Sequence, residues 1–214
     1  TVQDVDKPDR LDREEGANLT SLQYRFDTGA YLSPHSDIVA LMVLEHQTRM
    51  TNMITRVGWE TRMALHDQKV MNEALGRPAG EITESTDRRV NNAVESLLRY
   101  LLFTDEAPLK DSVSGTSGFA GEFVKQGPRD SKGRSLRDLD LNTRLQRYPC
   151  SFLIHSEAFD GLPELAKDRI YRRLGEILSG RDSSEPYRKL EATDRKAVLE
   201  ILRETKPEFA AALR

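Results

Sequence analysis

The segment from Ser33 to Gly76 constrains this chain most, because it reads as a single helix too long for an ordinary domain of this size. Ser33 stands where an N-cap belongs and Pro34 at the first helical position, while Gly76, with Pro78 just beyond, supplies the stop. Between these brackets Val39, Val43, His46, Met50, Met53 and Val57 recur at alternating steps of four and three, and Ala64, Met71 and Leu75 continue the pattern less cleanly. That alternation predicts a coiled-coil-like seam. About 42 residues rising ~1.5 Å each span roughly 63 Å. A compact chain of 214 residues has an expected radius of gyration of about 17 Å and a diameter of roughly 44 Å. The helix is therefore expected to do one of two things. It breaks, with Gly58 beside Trp59 as its weak point; or it carries one end of the seam beyond its own core, onto a protein partner, a second copy, or a domain preceding Thr1.

The rest of the chain reads as further helices. Residues 1 to 32 open with Asp4, Asp6, Asp9, Asp12, Glu14 and Glu15 and show no sustained apolar period, which predicts an extended arm. After polar capping residues in Glu81 to Asp87, a second helix places Val90, Ala93, Val94, Leu97, Leu98, Leu101 and Leu102 on one face. A short helix around Ser117 to Gln126 is weakened by Gly118 and Gly121. Gly127 to Arg147 reads as an irregular basic connection and a candidate sub-boundary within a helical domain of residues 33 to 214. A short helix runs from Pro149 through Phe159. A longer one follows from Pro163, with Ile170, Leu174, Ile177 and Leu178 on its face and Gly180 as its stop. Thr193 is expected to cap a last helix carrying Ala197, Val198, Ile201 and Leu202, with Pro207 shortly after. No segment alternates as a strand does. The expected fold is all-α, an irregular bundle of about five to six helices built around the long one.

Composition excludes several classes. With 37% apolar and 31% charged residues the chain is too hydrophobic for disorder. Glu45, Arg49 and Arg56 interrupt the best candidate for a membrane span. Cys150 is the only cysteine, so neither an intrachain disulfide nor a cysteine-based zinc site can form. A net charge of −3 argues against nucleic acid as a partner. Between Lys125 and Arg147 seven basic residues face three acidic ones, a local excess of 7 − 3 = +4, but without interleaved aromatics this reads as a solvated loop.

Few residues suggest chemistry. His46 lies in the seam beside Met42, Met50 and Met53, a setting suited to a haem contact or axial ligand. His35 precedes it on nearly the same face, yet helix rise separates the two by roughly 16 Å, too far to share a metal. No histidine follows a glutamate at the di-iron spacing, and His-Glu-x-x-His is absent. Cys150 and His155 offer a nucleophile and a base, but on a helix their side chains diverge by about 140°. Gly115, Gly118 and Gly121 lack the strand before them and the Gly-Lys-Ser/Thr ending of a phosphate loop, and read as a flexible turn. Glu157 and Asp160 read as a helix rim.

Several segments together resemble the C-terminal region of a family of uncharacterised exported bacterial proteins associated with cytochrome c. They are residues 33–68, Ser114–Phe123, Gly127–Leu145, Arg147–Pro163, Tyr171–Ser184 and Thr193–Pro207. The resemblance implies export to the periplasm or another extracytoplasmic space, and a redox setting. The Cys-x-x-Cys-His of covalent haem attachment is missing, so a haem would belong to another region or to a partner. Three readings follow: a non-catalytic helical domain packed against a haem-bearing region, with His35 or His46 as contacts, supporting electron transfer or assembly; an enzyme using the Cys150–His155 segment; or a scaffold that oligomerises through the long helix.

Overall fold

In a computed structural model, which describes residues 19–31, 33–78, 80–182 and 184–213, helix α1 runs over Ile38–Leu75. Its 38 residues span ~57 Å at ~1.5 Å each. Gly58 does not break it. This glycine is buried; a Cβ there would meet the Arg62 guanidinium at 2.9 Å and make ordinary contact with Leu162 at 3.5 Å. Arg62 secures the turn after residue 160 by donating to the Gly161 carbonyl at 3.0 Å.

The helix begins four residues later than its sequence brackets suggest. Asp37, not Ser33, is the N-cap, accepting from the Ala40 amide at 3.0 Å. Ser33 instead accepts from the His35 amide, and the Leu22 amide donates to the Pro34 carbonyl. These bonds hold residues 33–36 extended. Asp37 wins the cap because a second segment engages it. The amide and hydroxyl of Ser117 both donate to Asp37 Oδ2, at 2.9 and 2.6 Å, and Thr116 donates to the Ser36 carbonyl. Gly115 passes so close that a Cβ would meet Asp37 Oδ2 at 2.6 Å. The glycine-rich stretch is therefore a cradle for a carboxylate of this chain rather than a flexible turn. Burial disfavours the charged form of Asp37, but the Ser117 hydroxyl and the surrounding amides outweigh it and hold the carboxyl below its ordinary range.

The buried stripe of α1 includes the expected seam at Val39, Val43, His46, Met50, Val57 and Ala64, with Met53 half-buried, but it does not keep the heptad to the end of the helix. Val39, Met50, Thr61 and Asn72 are fully buried at intervals of eleven residues, and His46, Val57 and Gln68 follow the same interval. A period near 3.67 residues keeps one face of an almost straight helix against its neighbours over its whole length, where a heptad would drift off. Met71 and Leu75, which a heptad would bury, are 52% and 56% exposed. Both ends of the stripe are thus buried within the chain itself, and no end of it overhangs. At the far end the stripe is polar. Gln68 accepts from the Thr83 amide, while Asn72 donates to the carbonyls of Pro78 and Glu81, clamping the turn into the next helix. Gly76, in the left-handed region at φ 65°, closes α1 as expected.

Helix α2 (Glu84–Leu101) is capped by Thr83 and buries every residue of its expected stripe against α1 and then α5. Short helices α3 (Phe119–Lys125) and α4 (Glu157–Asp160) follow, then α5 (Glu164–Leu178), α6 (Ala192–Thr205) and α7 (Pro207–Ala212). The described residues are all-helical apart from loops and two isolated bridges, Ser21 with His35 and Leu139 with Gln146. The all-α bundle around one long helix is as expected, with seven α-helices rather than five to six. Thr193 does not cap α6, which starts one residue earlier, and Pro207 opens α7, whose Phe209 is fully buried. Of the expected N-terminal arm, residues 1–18 lie outside the described residues, and 19–31 form turns without helix.

The basic connection is no solvated loop. Lys132 and Arg134 both pair with Glu200 of α6, Arg144 pairs with Asp194 of α6, and Arg137 stacks over the rings of Phe123 and Phe152 at 4.1 and 4.6 Å. Leu136 and Leu145 are buried in the common core. Asp194 and Glu200 of α6 thus take up three of its positive charges, and Leu136 and Leu145 tie the segment to the core.

Candidate functional site

A cleft lies between the first half of α1 and the end of α2, and His46 forms part of its wall. It encloses about 720 Å³, within the range of small-molecule sites. Met42, Met53, Phe103, Leu109 and Leu145 supply apolar walls; Glu45, Arg49, Arg99 and Glu106 stand among them as polar groups. Arg99 is paired with Asp105 at 2.9 Å. Arg49 lies over the Tyr100 ring, 4.8 Å from its centroid, and has no carboxylate partner among the described residues.

His46 is set rigidly. Its ring stacks on Phe103 with centroids 4.7 Å apart and on Tyr100 at 5.4 Å, and Phe152 leans against it at 6.0 Å. Phe103 achieves this with a left-handed backbone, φ 54°, a conformation costing an aromatic residue about 1–3 kcal/mol. The sequence folds this way because α2 ends at Leu101 and the chain must turn at once, with the Phe103 and Thr104 amides bonding back to the Tyr100 and Arg99 carbonyls.

Nε2 of His46 lies 2.7 Å from the hydroxyl of Ser151. Ser151 is fully buried at the N-cap of the 3₁₀ turn Phe152–His155, and its oxygen also accepts from the Leu153 amide. Ser151 donates to Nε2 in the tautomer that carries its proton on Nδ1, and accepts from Nε2 in the other. Nδ1 has no hydrogen-bond partner among the described residues. Burial lowers the His46 pKa to about 4, so at neutral pH the ring is uncharged. Beside it, burial raises the Glu106 carboxyl above its ordinary value against the opposing bond from the Leu145 amide.

A serine beside a histidine invites a nucleophile reading, but Ser151 is shut off from the cleft and no third group orients Nδ1. Nor does the Cys150–His155 segment assemble a site. Cys150 is completely buried, which pushes its thiol pKa up, and His155 bonds the Thr205 hydroxyl instead at 3.1 Å. His35 lies outside the helix, exposed, with Nδ1 on the Thr20 carbonyl at 3.0 Å. It is not brought to His46.

As haem ligands the two histidines do not fit. Nε2 of His46 is occupied by Ser151 and the rings of Tyr100 and Phe103 stack on it, while His35 is exposed. No group of three or more metal-ligating side chains occurs among the described residues, and no described helix is long and apolar enough to cross a membrane.

Sequence reasoning found His46 but missed Ser151, Phe103 and Tyr100. Tyr100 lies within the apolar stripe of α2 and Phe103 directly after it, which is the one signal that pointed to them; Ser151, 105 residues away from His46, had none. Comparison with protein-family models, with curated proteins and with solved structures gives no match.

Proposed function

We propose that this chain is a non-catalytic helical binding domain whose ligand occupies the cleft beside His46. The observation that carries the reading is the cleft's chemistry: apolar walls of Met42, Met53, Phe103, Leu109 and Leu145 beside an uncharged His46, with the Arg49 guanidinium free of a carboxylate partner among the described residues. Such a site suits a compact apolar body carrying a hydrogen-bond acceptor for Arg49. Placement in an exported protein and association with a haem-bearing region or partner rest on the family resemblance, and within this proposal the haem lies outside the cleft.

Methyl NMR tests the reading. Among the five methionines, Met42 and Met53 line the cleft whereas Met63 and Met71 do not. Titration with small aromatic ketones, which join a ring to one acceptor, should shift the Met42 and Met53 methyl resonances saturably and leave Met63 and Met71 unmoved. Leu145→Trp, which fills the cavity, should abolish the response. Equal, unsaturable shifts at all methionines would overturn the proposal.

A further inference from the structure

A second, smaller pocket opens where α1, the basic connection and the turn Phe152–His155 meet. It encloses about 230 Å³ and shares no lining residue with the cleft beside His46. No aspartate or glutamate among the described residues lines it. His155 on its wall is uncharged at neutral pH, because burial and then the Lys206 charge hold its pKa at about 4. The charge in the pocket comes from Arg137. Its neighbours in the connection, Arg129, Lys132, Arg134 and Arg144, each hold a carboxylate, whereas Arg137 holds none among the described residues. Its Nε donates to the Phe123 carbonyl at 3.1 Å and one Nη to Gln126 Oε1 at 3.2 Å, which uses two of the five N–H donors of a guanidinium. Stacking over Phe123 and Phe152 accounts for the flat of the group and leaves its other donors uncommitted at the edge. Burial pulls the Arg137 pKa down, and no carboxylate offsets it.

The pocket holds further donors of the same kind. Ser135 is fully buried on its wall; its oxygen accepts from the Arg137 amide at 3.2 Å, and its proton has no acceptor among the described residues. Gln47 lines the pocket from α1, and its side-chain amide has no hydrogen-bond partner among the described residues. Asp138, next to Arg137 in sequence, is committed to Arg129 and to the Ser135 amide. Gly127 shapes the remaining wall: at φ 83° the chain passes so close to Arg137 that a Cβ would lie 2.8 Å from its Cδ. An unpaired guanidinium, a buried hydroxyl and an amide around an acid-free space have the chemistry of an oxyanion site. The volume lies below the roughly 300–1,000 Å³ usual for organic ligands, so the anion is a small one. Its donors stand on two walls, the connection and α1, which suits oxygens arranged tetrahedrally better than the two coplanar oxygens of a carboxylate. We infer that this pocket binds a free inorganic oxyanion of the phosphate class, with Arg137 as the charged anchor and Ser135 and Gln47 as the further donors. The site is independent of the cleft reading, since no residue lines both.

Titration of the 214-residue chain with sodium phosphate at constant ionic strength, followed by proton–nitrogen NMR, reads the pocket directly. The Arg137 Nε–H and the Gln47 side-chain amide should shift saturably. Sodium chloride should leave both in place, sodium acetate should bind more weakly than phosphate, and the Met42 and Met53 methyls of the cleft should not move. Ser135→Ala and Gln47→Leu each remove a donor and keep the charge, and each should weaken phosphate binding about tenfold. Arg137→Gln should abolish it. Arg147→Gln takes one charge from the exposed end of the same segment and should change nothing. Circular dichroism shows which variants are folded; if Arg137→Gln is not, the two donor variants decide. No saturable shift with phosphate, an equal shift with chloride, acetate bound as tightly as phosphate, or undiminished binding in folded Arg137→Gln or Ser135→Ala chains would overturn the inference.

Discussion

Asp37 is the point at which two distant segments fix where the long helix starts, and its removal should cost more than an ordinary cap. The cap bond to Ala40 is worth about 1 kcal/mol. The two bonds from Ser117 go to a buried, charged acceptor, of the class worth about 1.5–3 kcal/mol. Asp37→Ala is therefore expected to lose about 2–4 kcal/mol, a large share of the roughly 5–15 kcal/mol that holds a domain folded. Asp37→Asn keeps a good cap and loses only the charge, so it should cost about 1–2 kcal/mol. Urea denaturation at pH 7 measures both. The sign with pH follows from the lowered carboxyl. Its contribution is complete above the unfolded value near ~3.9 and disappears as pH falls through the lower folded value, so wild type and Asp37→Asn should converge in acid. Gly115→Ala, whose Cβ would strike both carboxylate oxygens at 2.6 and 2.8 Å, should be costly in wild type and nearly neutral once Asp37 is alanine. A loss under about 0.5 kcal/mol for Asp37→Ala, or strict additivity with Gly115→Ala, would refute the cradle.

Three further outcomes are expected. Burial holds His46 at about 4, and burial together with the Lys206 charge holds His155 at about 4, so below pH ~6.5 the unfolded chain takes up protons that the folded one does not. Stability should fall from that pH down to about 4, and His46→Gln should remove about 1.4 kcal/mol per pH unit from the slope; a slope unchanged by the substitution would contradict the burial assigned to His46. Gly58→Ala should be neutral or stabilising by up to about 1 kcal/mol, because the added methyl meets only the movable tip of Arg62 and ordinary contact with Leu162; a loss above about 1 kcal/mol in urea would show that the turn after α4 cannot yield. Cys150 should stay inert to an aromatic disulfide reagent in the native state and react on unfolding, whereas rapid native labelling would restore the nucleophile reading.

The helices were legible because their signals are local. The stripe on α2 and the left-handed Gly76 need only their own neighbours in sequence, and both stand where periodicity placed them. Errors arose where distant segments compete with local rules. Ser33-Pro34 is a good helix start on its own terms, yet Asp37 starts the helix because Ser117, 80 residues on, bonds it. Lys132, Arg134 and Arg144 look like a solvated basic run until Glu200 and Asp194 of α6 are laid against them. The candidate site failed in the same way. His46 could be singled out by its place among apolar residues, but its meaning depends on Ser151 and Phe103, which no spacing rule connects to it.

By itself the sequence determined that this chain is all-helical and organised around one long helix, since a 3.6-residue period and its caps are properties of a single segment. Tertiary structure decided the rest: where α1 begins, that its buried stripe repeats every eleven residues, and that His46 is an uncharged ring on the wall of a cleft. Each of these is settled by which side chain wins a shared hydrogen bond or a buried position, and that competition exists only once distant segments meet.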